Sequence, residues 1–409
     1  MRLVQVSARP ASVRKYPKRH TKRWLCVTLS LALLTAIQLL RPLPNATLVL
    51  SLPALPKSNG LQLAWPGSGQ ASLAAEGYGI LALYGKQEPL ATASIAKVIT
   101  ALCVLEKYPL NGDAPGPTLT MSNRDVVYYQ EQISQNGSRF PVELGQTLTE
   151  RQALEAIMIP SANNIADSLV RWAFGDQTTY AAYANEYLQR KGLVHTRVGT
   201  DASGYDPSTV STAEDLARLG SIARKNAVLM DIARQDSASF GESGVYTNYN
   251  TALGKHGING LKTGNNDQNP GALLFTADVQ TGSHMLELSG SVMGAESLAG
   301  AIRSSEALVE SALQNFEAVS YTQAGQIVGE ARTAWGASTP IRTKGALELV
   351  RWKAEKVTEQ HTLRAASATV AASVGALVVH AGEVQSSTTL EITTPADKPS
   401  VWWRLTRLK

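Results

Sequence analysis

The stretch Ala93-Ser94-Ile95-Ala96-Lys97-Val98-Ile99-Thr100-Ala101, continuing to Lys107, sets apolar Ile95, Val98, Ile99, Leu102 and Leu105 at helical spacing. It reads as a helix with Ser94 at its N-terminus and Lys97 one turn on, both on one face. Two short strand candidates precede it, Gln70–Ala75 and Tyr78–Tyr84, separated by a Glu76-Gly77 turn signal. Downstream, Thr149-Glu150-Arg151-Gln152 is a capping-box pattern opening a helix that Pro160 stops after Ile159. Helical patterns follow at 165–174, 180–191 and 212–225, then strand-like material near Lys262 and at 273–278 and 285–292, and a long helix over 297–316. Strands, then helices, then strands with a final helix predict an α+β fold. Its antiparallel sheet is completed by both ends of the domain and flanked by helices, with a helical region inserted between.

Past residue 320 the texture changes. β-rich runs at 327–335, 347–352, 370–380 and 389–394, broken by Gly, Ser and Pro, predict a small, separate all-β C-terminal domain. Its last residues, Trp402-Trp403-Arg404-Leu405-Thr406-Arg407-Leu408-Lys409, fit a lipid-surface contact or a final edge strand packing its tryptophans. At the other end, Met1–Arg23 holds eight Lys/Arg and no acid, and runs into seventeen uncharged residues, Trp24–Leu40. That layout predicts a transmembrane signal-anchor or a signal peptide, with the following domain outside the cytoplasm. The expected organisation is a basic N-terminus and anchor over 1–45, a Pro/Ser/Gly-rich linker over 46–68, a catalytic domain over 69–320 and the β-rich domain over 321–409.

The composition narrows the function further. The chain is 44% hydrophobic and 17% charged, ample for a globular core. Its net charge of +5 belongs to the basic N-terminus; the body is mildly acidic, which argues against nucleic acid as a partner. The two cysteines, Cys26 in the apolar segment and Cys103 on the first helix, offer no disulfide framework and no metal cluster.

Three motifs then stand in order: Ser94-Ile95-Ala96-Lys97, Ser161-Ala162-Asn163 and Lys262-Thr263-Gly264. Singly each has an ordinary reading: a helix cap with a solvated lysine, a turn after proline, a strand end. Together they supply one chemistry. A serine at a helix N-terminus has free backbone N–H groups beside it, but its hydroxyl needs a base to become a nucleophile. Lys97 can be that base if burial and a second lysine, Lys262, disfavour its ammonium form. Ser161 can accept and donate, passing a proton to a leaving amine, and Asn163 offers an amide to a substrate backbone. Lys262, Thr263 and Gly264 present a positive charge, a hydroxyl and an uncrowded backbone to an extended peptide. Backbone N–H groups of Ser94 and Asn265 would form an oxyanion hole. His256, near the third motif, is not needed.

The motifs, their separations of 67 and 101 residues, and the surrounding Pro160-Ser161-Ala162-Asn163-Asn164-Ile165-Ala166 and Gly260-Leu261-Lys262-Thr263-Gly264 resemble the D-alanyl-D-alanine carboxypeptidases among the low-molecular-mass penicillin-binding proteins. The similarity covers roughly residues 65–320. The resemblance implies the DD-peptidase/β-lactamase-like fold and release of D-alanine from peptidoglycan stem peptides ending in D-Ala-D-Ala. It further implies covalent reaction with β-lactams, a bacterial membrane location and no cofactor. By this resemblance Ser94 forms the acyl-enzyme, Lys97 takes the proton, Ser161 relays it and Lys262 binds the substrate carboxylate.

The chain departs from the family after Gly264, where Asn265-Asn266-Asp267-Gln268-Asn269-Pro270-Gly271 makes a more polar rim than the usual small run. A class A β-lactamase needs a Glu-x-x-Leu-Asn loop after the second motif, and none lies between Asn163 and Lys262. A DD-transpeptidase and a non-catalytic wall scaffold are the other readings of the same fold.

Overall fold

The computed structural model describes residues 19–281 and 284–407. Most of the basic N-terminal block, residues 1–18, and the tail residues Leu408 and Lys409 lie outside them. The helices are α1 (Arg19–Leu40), α2 (Ala96–Lys107), α3 (Asn123–Ser134), α4 (Glu150–Met158) and α5 (Asn163–Phe174), then α6 (Gln177–Arg190), α7 (Ala213–Arg224), α8 (Ala227–Ala233), α9 (Leu298–Leu313) and α10 (Val401–Thr406). In α1 the window Lys22–Leu40 is long and apolar enough to cross a membrane, and none of it is buried against the rest of the protein.

The main strands are β1 (Thr47–Leu50), β2 (Gln70–Ala75), β3 (Gly79–Tyr84), β4 (Ile258–Asn266), β5 (Asn269–Thr281) and β6 (His284–Met293). They are followed by β7 (Phe316–Thr322), β8 (Ile327–Arg332), β9 (Ser338–Thr343), β10 (Leu347–Trp352), β11 (Val357–Leu363), β12 (Ala372–Ala381) and β13 (Val384–Ile392). A five-stranded antiparallel sheet runs β4-β5-β6-β2-β3, so the early hairpin joins the late strands through the β6–β2 pair. This is the predicted closure of the sheet by both ends of the domain. Helix α9 covers one face of it and α7 the other. Between β3 and β4 lies the helical region, built around α2, whose residues from Ala96 to Leu105 are all buried. Helices α4, α5 and α6 surround it, because each turns an apolar stripe of its own toward α2.

Several expectations need correction. The helix expected over 93–107 begins with a separate 3₁₀ turn, Ala93–Ile95, and α5 starts at Asn163 rather than at residue 165. Helices α3 and α8 are additional. The β-branched and aromatic residues of α3 hide its helical character, and the reciprocal cap between Ser122 and Asp125 starts it.

The expected linker is fixed in place: the alternating Thr47-Leu48-Val49-Leu50 is an edge strand paired with β8. Further on, Asn59 N–H donates to Lys353 O, and Leu61, Leu63 and Trp65 pack on the sheet core. The β-rich region is a six-stranded sheet, β1-β8-β9-β13-β12-β11, with the pair β7–β10 beside it. It is not separate. Phe316, Val350 and Trp352 complete the hydrophobic cluster under α9, so the expected boundary at 320 falls inside β7. The terminal Trp-Trp segment is not an edge strand, one of its two expected forms, but the short helix α10 against the end of α1.

Candidate active site

The turn carrying Ser94 is held in a conformation that costs energy. Ala93 has φ of 46°, in the left-handed region that a residue with a Cβ avoids. Two glycines make room for it. A Cβ on Gly204 would lie 2.0 Å from Ala93 O, and one on Gly264 would lie 2.9 Å from Thr92 O. Gly264 therefore serves close packing of β4 on the turn. Behind the turn, Thr100 Oγ1 donates to Ala202 O at 2.7 Å, tying α2 to the segment that holds Gly204.

Lys97 is fully buried. Its Nζ has three neighbours: Ser94 Oγ at 2.8 Å, Asn163 Oδ1 at 2.7 Å and Ser203 O at 3.0 Å. Two of these, the amide and the backbone carbonyl, can only accept. A neutral amine has two N–H groups for them and one lone pair left, and the remaining neighbour is a hydroxyl that can donate. Burial favours this neutral form and pulls Lys97 down to about 7, against the opposing pull of Asp201 and Asp167.

Ser161 follows Pro160 in the connection from α4 to α5 and has φ of 60°, the second left-handed residue with a side chain at this site. The segment is stitched to residues 138–140: Asn163 N–H donates to Ser138 O at 2.8 Å, and the Asn164 amide pairs with both backbone groups of Phe140. Among the described residues nothing hydrogen-bonds the Ser161 hydroxyl, though Ser161 is only 3% exposed and lines the cavity. Asn163 was expected to offer its amide to a substrate. In the fold its Oδ1 accepts from Lys97, and its Nδ2 donates to Gln132 Oε1 at 2.8 Å, leaving one N–H uncommitted.

Strand β4 brings the third motif. Lys262, Thr263 and Gly264 pair with Leu274, Leu273 and Ala272 of β5, and the register shifts between Gly264 and Asn266, at Asn265. Lys262 is also buried, donates to Thr263 O at 3.1 Å, and faces no carboxylate partner among the described residues. Burial, and then the charge of Lys97, hold it well below the usual lysine range. The two lysines thus share one electrostatic environment.

These segments meet in an open cavity of about 770 Å³ whose lining includes Ser94, Ser161, Asn163, Thr263 and Asn265. The rim is polar, as the run after Gly264 suggests, with Asn266, Asp267 and Gln268 on it. Lys97 and Lys262 lie beneath the lining. His256 is in a turn before β4, outside the cavity lining.

Sequence reasoning missed Gln132, Ser203 and the Asp167–Asp201 pair. Asp201 accepts from the backbone N–H groups of Ser203, Gly204 and Asp206, at 3.2, 2.6 and 2.8 Å, and so shapes the turn that aims Ser203 O at Lys97. The run Asp201-Ala202-Ser203-Gly204 is an Asx-turn signal that could have been read. Asp167 also lines the cavity; burial and the neighbouring Asp201 push it up to about 7.

A family model described as D-alanyl-D-alanine carboxypeptidase matches residues 75–297, a little over half of the chain. The chain belongs to this family. All three motifs lie within the matched residues. Among curated proteins, this D-alanyl-D-alanine carboxypeptidase family member is 27% identical over 234 residues to D-alanyl-D-alanine carboxypeptidase DacA of Haemophilus influenzae, covering 55% of this chain and 58% of that protein. It therefore spans less than two thirds of the relative's length. The fold is similar to that of penicillin binding protein 5 from Haemophilus influenzae, with TM-score 0.57 and 19% identity over 83% of this chain and 99% of that one. It is equally similar to penicillin binding protein 6B from Escherichia coli, with TM-score 0.58 and 20% identity over 84% of this chain and 99% of that one. At such identity the likeness concerns the fold, which is the expected α+β DD-peptidase architecture with an all-β C-terminal region.

Proposed function

We propose that this chain is a serine D-Ala-D-Ala carboxypeptidase that removes the terminal D-alanine from peptidoglycan stem peptides. The observation that carries the proposal is the environment of Lys97: a buried amine, 2.8 Å from Ser94 Oγ, with its other two positions occupied by carbonyl oxygens. Its one free lone pair faces the serine hydroxyl.

In this reading the substrate's terminal carboxylate pairs with Lys262, which lacks an acidic partner among the described residues, and its negative charge restores the ammonium form that burial and Lys97 disfavour in the free site. The peptide extends along β4 past Thr263 and Gly264, and the remaining N–H of Asn163 is offered to its backbone. Ser94 Oγ attacks the carbonyl between the two D-alanines as its proton passes to Lys97. The oxyanion is met by the N–H groups of Ser94 and Asn265; losing one such donor costs about 3 kcal/mol in the transition state. The C–N bond breaks as Ser161 passes its proton to the departing D-alanine amine and takes up the one held by Lys97, and water then hydrolyses the ester, returning Ser94 to its hydroxyl form. β-Lactams acylate the same serine. The apolar α1 anchors the protein in the bacterial cell membrane, with the cavity on the extracytoplasmic side.

Intact-mass spectrometry of the full chain with penicillin, beside Ser94→Ala, tests the acylation. One penicilloyl adduct on the wild type and none on the variant is expected, with D-alanine release from a pentapeptide. No adduct with the antibiotic intact would indicate a scaffold, and no adduct with the antibiotic destroyed a β-lactamase. D-Alanine release that depends on an added amine acceptor would indicate a transpeptidase.

A further inference from the structure

The run Asn265-Asn266-Asp267-Gln268-Asn269 is where the chain departs from its family, and the proposed chemistry uses only the backbone of its first residue. Asn269, at the start of β5, is fully buried and lies outside the cavity lining. Its Nδ2 donates to Ala91 O at 2.8 Å, and its Oδ1 accepts from Gly294 N–H at 3.0 Å. Ala91 stands three residues before Ser94. Next to it, Thr92 N–H donates to Thr209 O before the chain turns left-handed at Ala93. One side chain therefore ties the tip of the β4–β5 hairpin to the entrance of the nucleophile turn.

Asn266 makes a second tie. Its Oδ1 accepts from the N–H groups of Gln268 and Asn269, at 3.1 and 2.8 Å, and its Nδ2 donates to Gly204 O at 3.4 Å. Gly204 packs on Ala93 O, so this contact also reaches the turn. The strand register shifts at the same place: Gly264 pairs with Ala272 and Asn266 with Asn269, so Asn265 alone faces Pro270 and Gly271. The backbone N–H groups of Ser94 and Asn265 thus belong to two segments remote in sequence. Stabilising an oxyanion requires such donors to be held in place before reaction.

We infer that Asn269, with Asn266 beside it, is a positioning residue that fixes the two oxyanion-hole donors relative to each other. The inference rests on the reading of Ser94 as the acylated serine and of the Ser94 and Asn265 N–H groups as that hole. An amide suits the place because it donates to Ala91 O and accepts from Gly294 N–H at once. A carboxylate there would set a second oxygen against Ala91 O.

The test compares the full chain with its Asn269→Ala and Asn269→Asp variants, using penicillin isotopically labelled at the β-lactam carbonyl carbon. Saturation of the acylation rate separates affinity from the limiting rate constant, and difference infrared spectroscopy reads the carbonyl stretch of the acyl-enzyme. Each protein is measured below its own thermal midpoint. The variants should bind penicillin within about twofold of the wild type and acylate about 10-fold more slowly, short of the roughly 100-fold or greater loss when a donor is removed. Their acyl carbonyl should absorb at higher wavenumber, because weaker hydrogen bonds draw it down less. A lower midpoint with rate and wavenumber unchanged would make Asn269 a packing residue and overturn the inference. Slower acylation with the carbonyl band unmoved would place the loss outside the oxyanion hole and overturn it likewise. If the Asn269 variants do not fold, Asn266→Ala, which cuts the tie to Gly204, is read in the same way. A wild type that penicillin does not acylate would overturn the reading of Ser94 and this inference with it.

Discussion

Replacing Asn163 by aspartate places a carboxylate oxygen where the amide oxygen now sits, 2.7 Å from Lys97 Nζ. At that distance, with the effective dielectric of a protein site, the attraction between the two charges is about 6 kcal/mol. That equals about 4 pKa units favouring the ammonium. The new carboxylate must itself be buried, which returns about half of the gain, so Lys97 should move from about 7 to about 9. At pH 7 the share of neutral lysine would then fall from about a half to about 1%, and acylation should slow about 50-fold. The assay is the second-order rate of labelling by a fluorescent penicillin across neutral to alkaline pH. In the wild type the rate should rise with pH through about 7, because the neutral amine is the base. In Asn163→Asp the same rise should come about two units higher and approach the wild-type plateau. Asn163→Ala, which removes the acceptor without adding charge, should depress the plateau and leave the midpoint from rising. A midpoint fixed near 7 in Asn163→Asp, with only a lower plateau, would refute Lys97 as the group that titrates.

Lys97→Met should abolish penicillin labelling yet stabilise the protein at neutral pH. The unfolded chain binds more protons than the folded one between about 7 and 10.5, so wild-type stability rises with pH across that window, and the buried amine costs about 4 kcal/mol at pH 7. After the loss of its hydrogen bonds, a net gain of about 2 kcal/mol should raise the variant's thermal midpoint at pH 7 and fade towards pH 10.5, whereas equal midpoints at pH 7 would contradict the cost. Gly204→Ala puts a Cβ 2.0 Å from Ala93 O and should cost more than about 3 kcal/mol, seen as a lower midpoint and lost labelling; an unchanged midpoint would show that the turn can yield. Lys262→Met should lower kcat/KM about 30-fold for a peptide with a free terminal carboxylate, from loss of a charged contact worth about 2 kcal/mol. The same peptide ended by an amide should be cleaved alike by both proteins, and a drop for both peptides would assign Lys262 a role other than carboxylate binding.

The early hairpin strands, the helix bearing Ser94 and the capping box at Thr149 could be read from local pattern, because each is a matter of spacing within a few residues. What could not be read is long-range. β1 looks like part of a linker because four alternating residues gain their meaning only from β8, almost three hundred residues on. The boundary at 320 failed for a similar reason: Trp352 is β-strand by pattern, but the cavity that it fills lies under α9 of the other region. Gln132 sits on a helix disguised by its β-branched and aromatic residues, and its part at the site exists only through Asn163.

The reactivity of the site is long-range in the same sense. Nothing in Ser-Ile-Ala-Lys distinguishes a base from a solvated lysine. The difference is made by burial and by two oxygen acceptors, one 66 residues away on α5 and the other 106 residues away at Ser203. Both acceptors are themselves held from outside, Asn163 by Gln132 and Ser203 by the turn around Asp201. The left-handed backbone at Ala93 and Ser161 has the same origin: such conformations cost about 1–3 kcal/mol each and persist only where the surroundings over-determine them. Motif order can therefore identify which residues meet. In the proposed mechanism, the free energy that makes Lys97 neutral and Ser94 nucleophilic is supplied by the packed domain around them. Substitutions at Gln132 or Asp201, outside every motif, should on this reasoning act through the pH dependence of Lys97 rather than through substrate affinity.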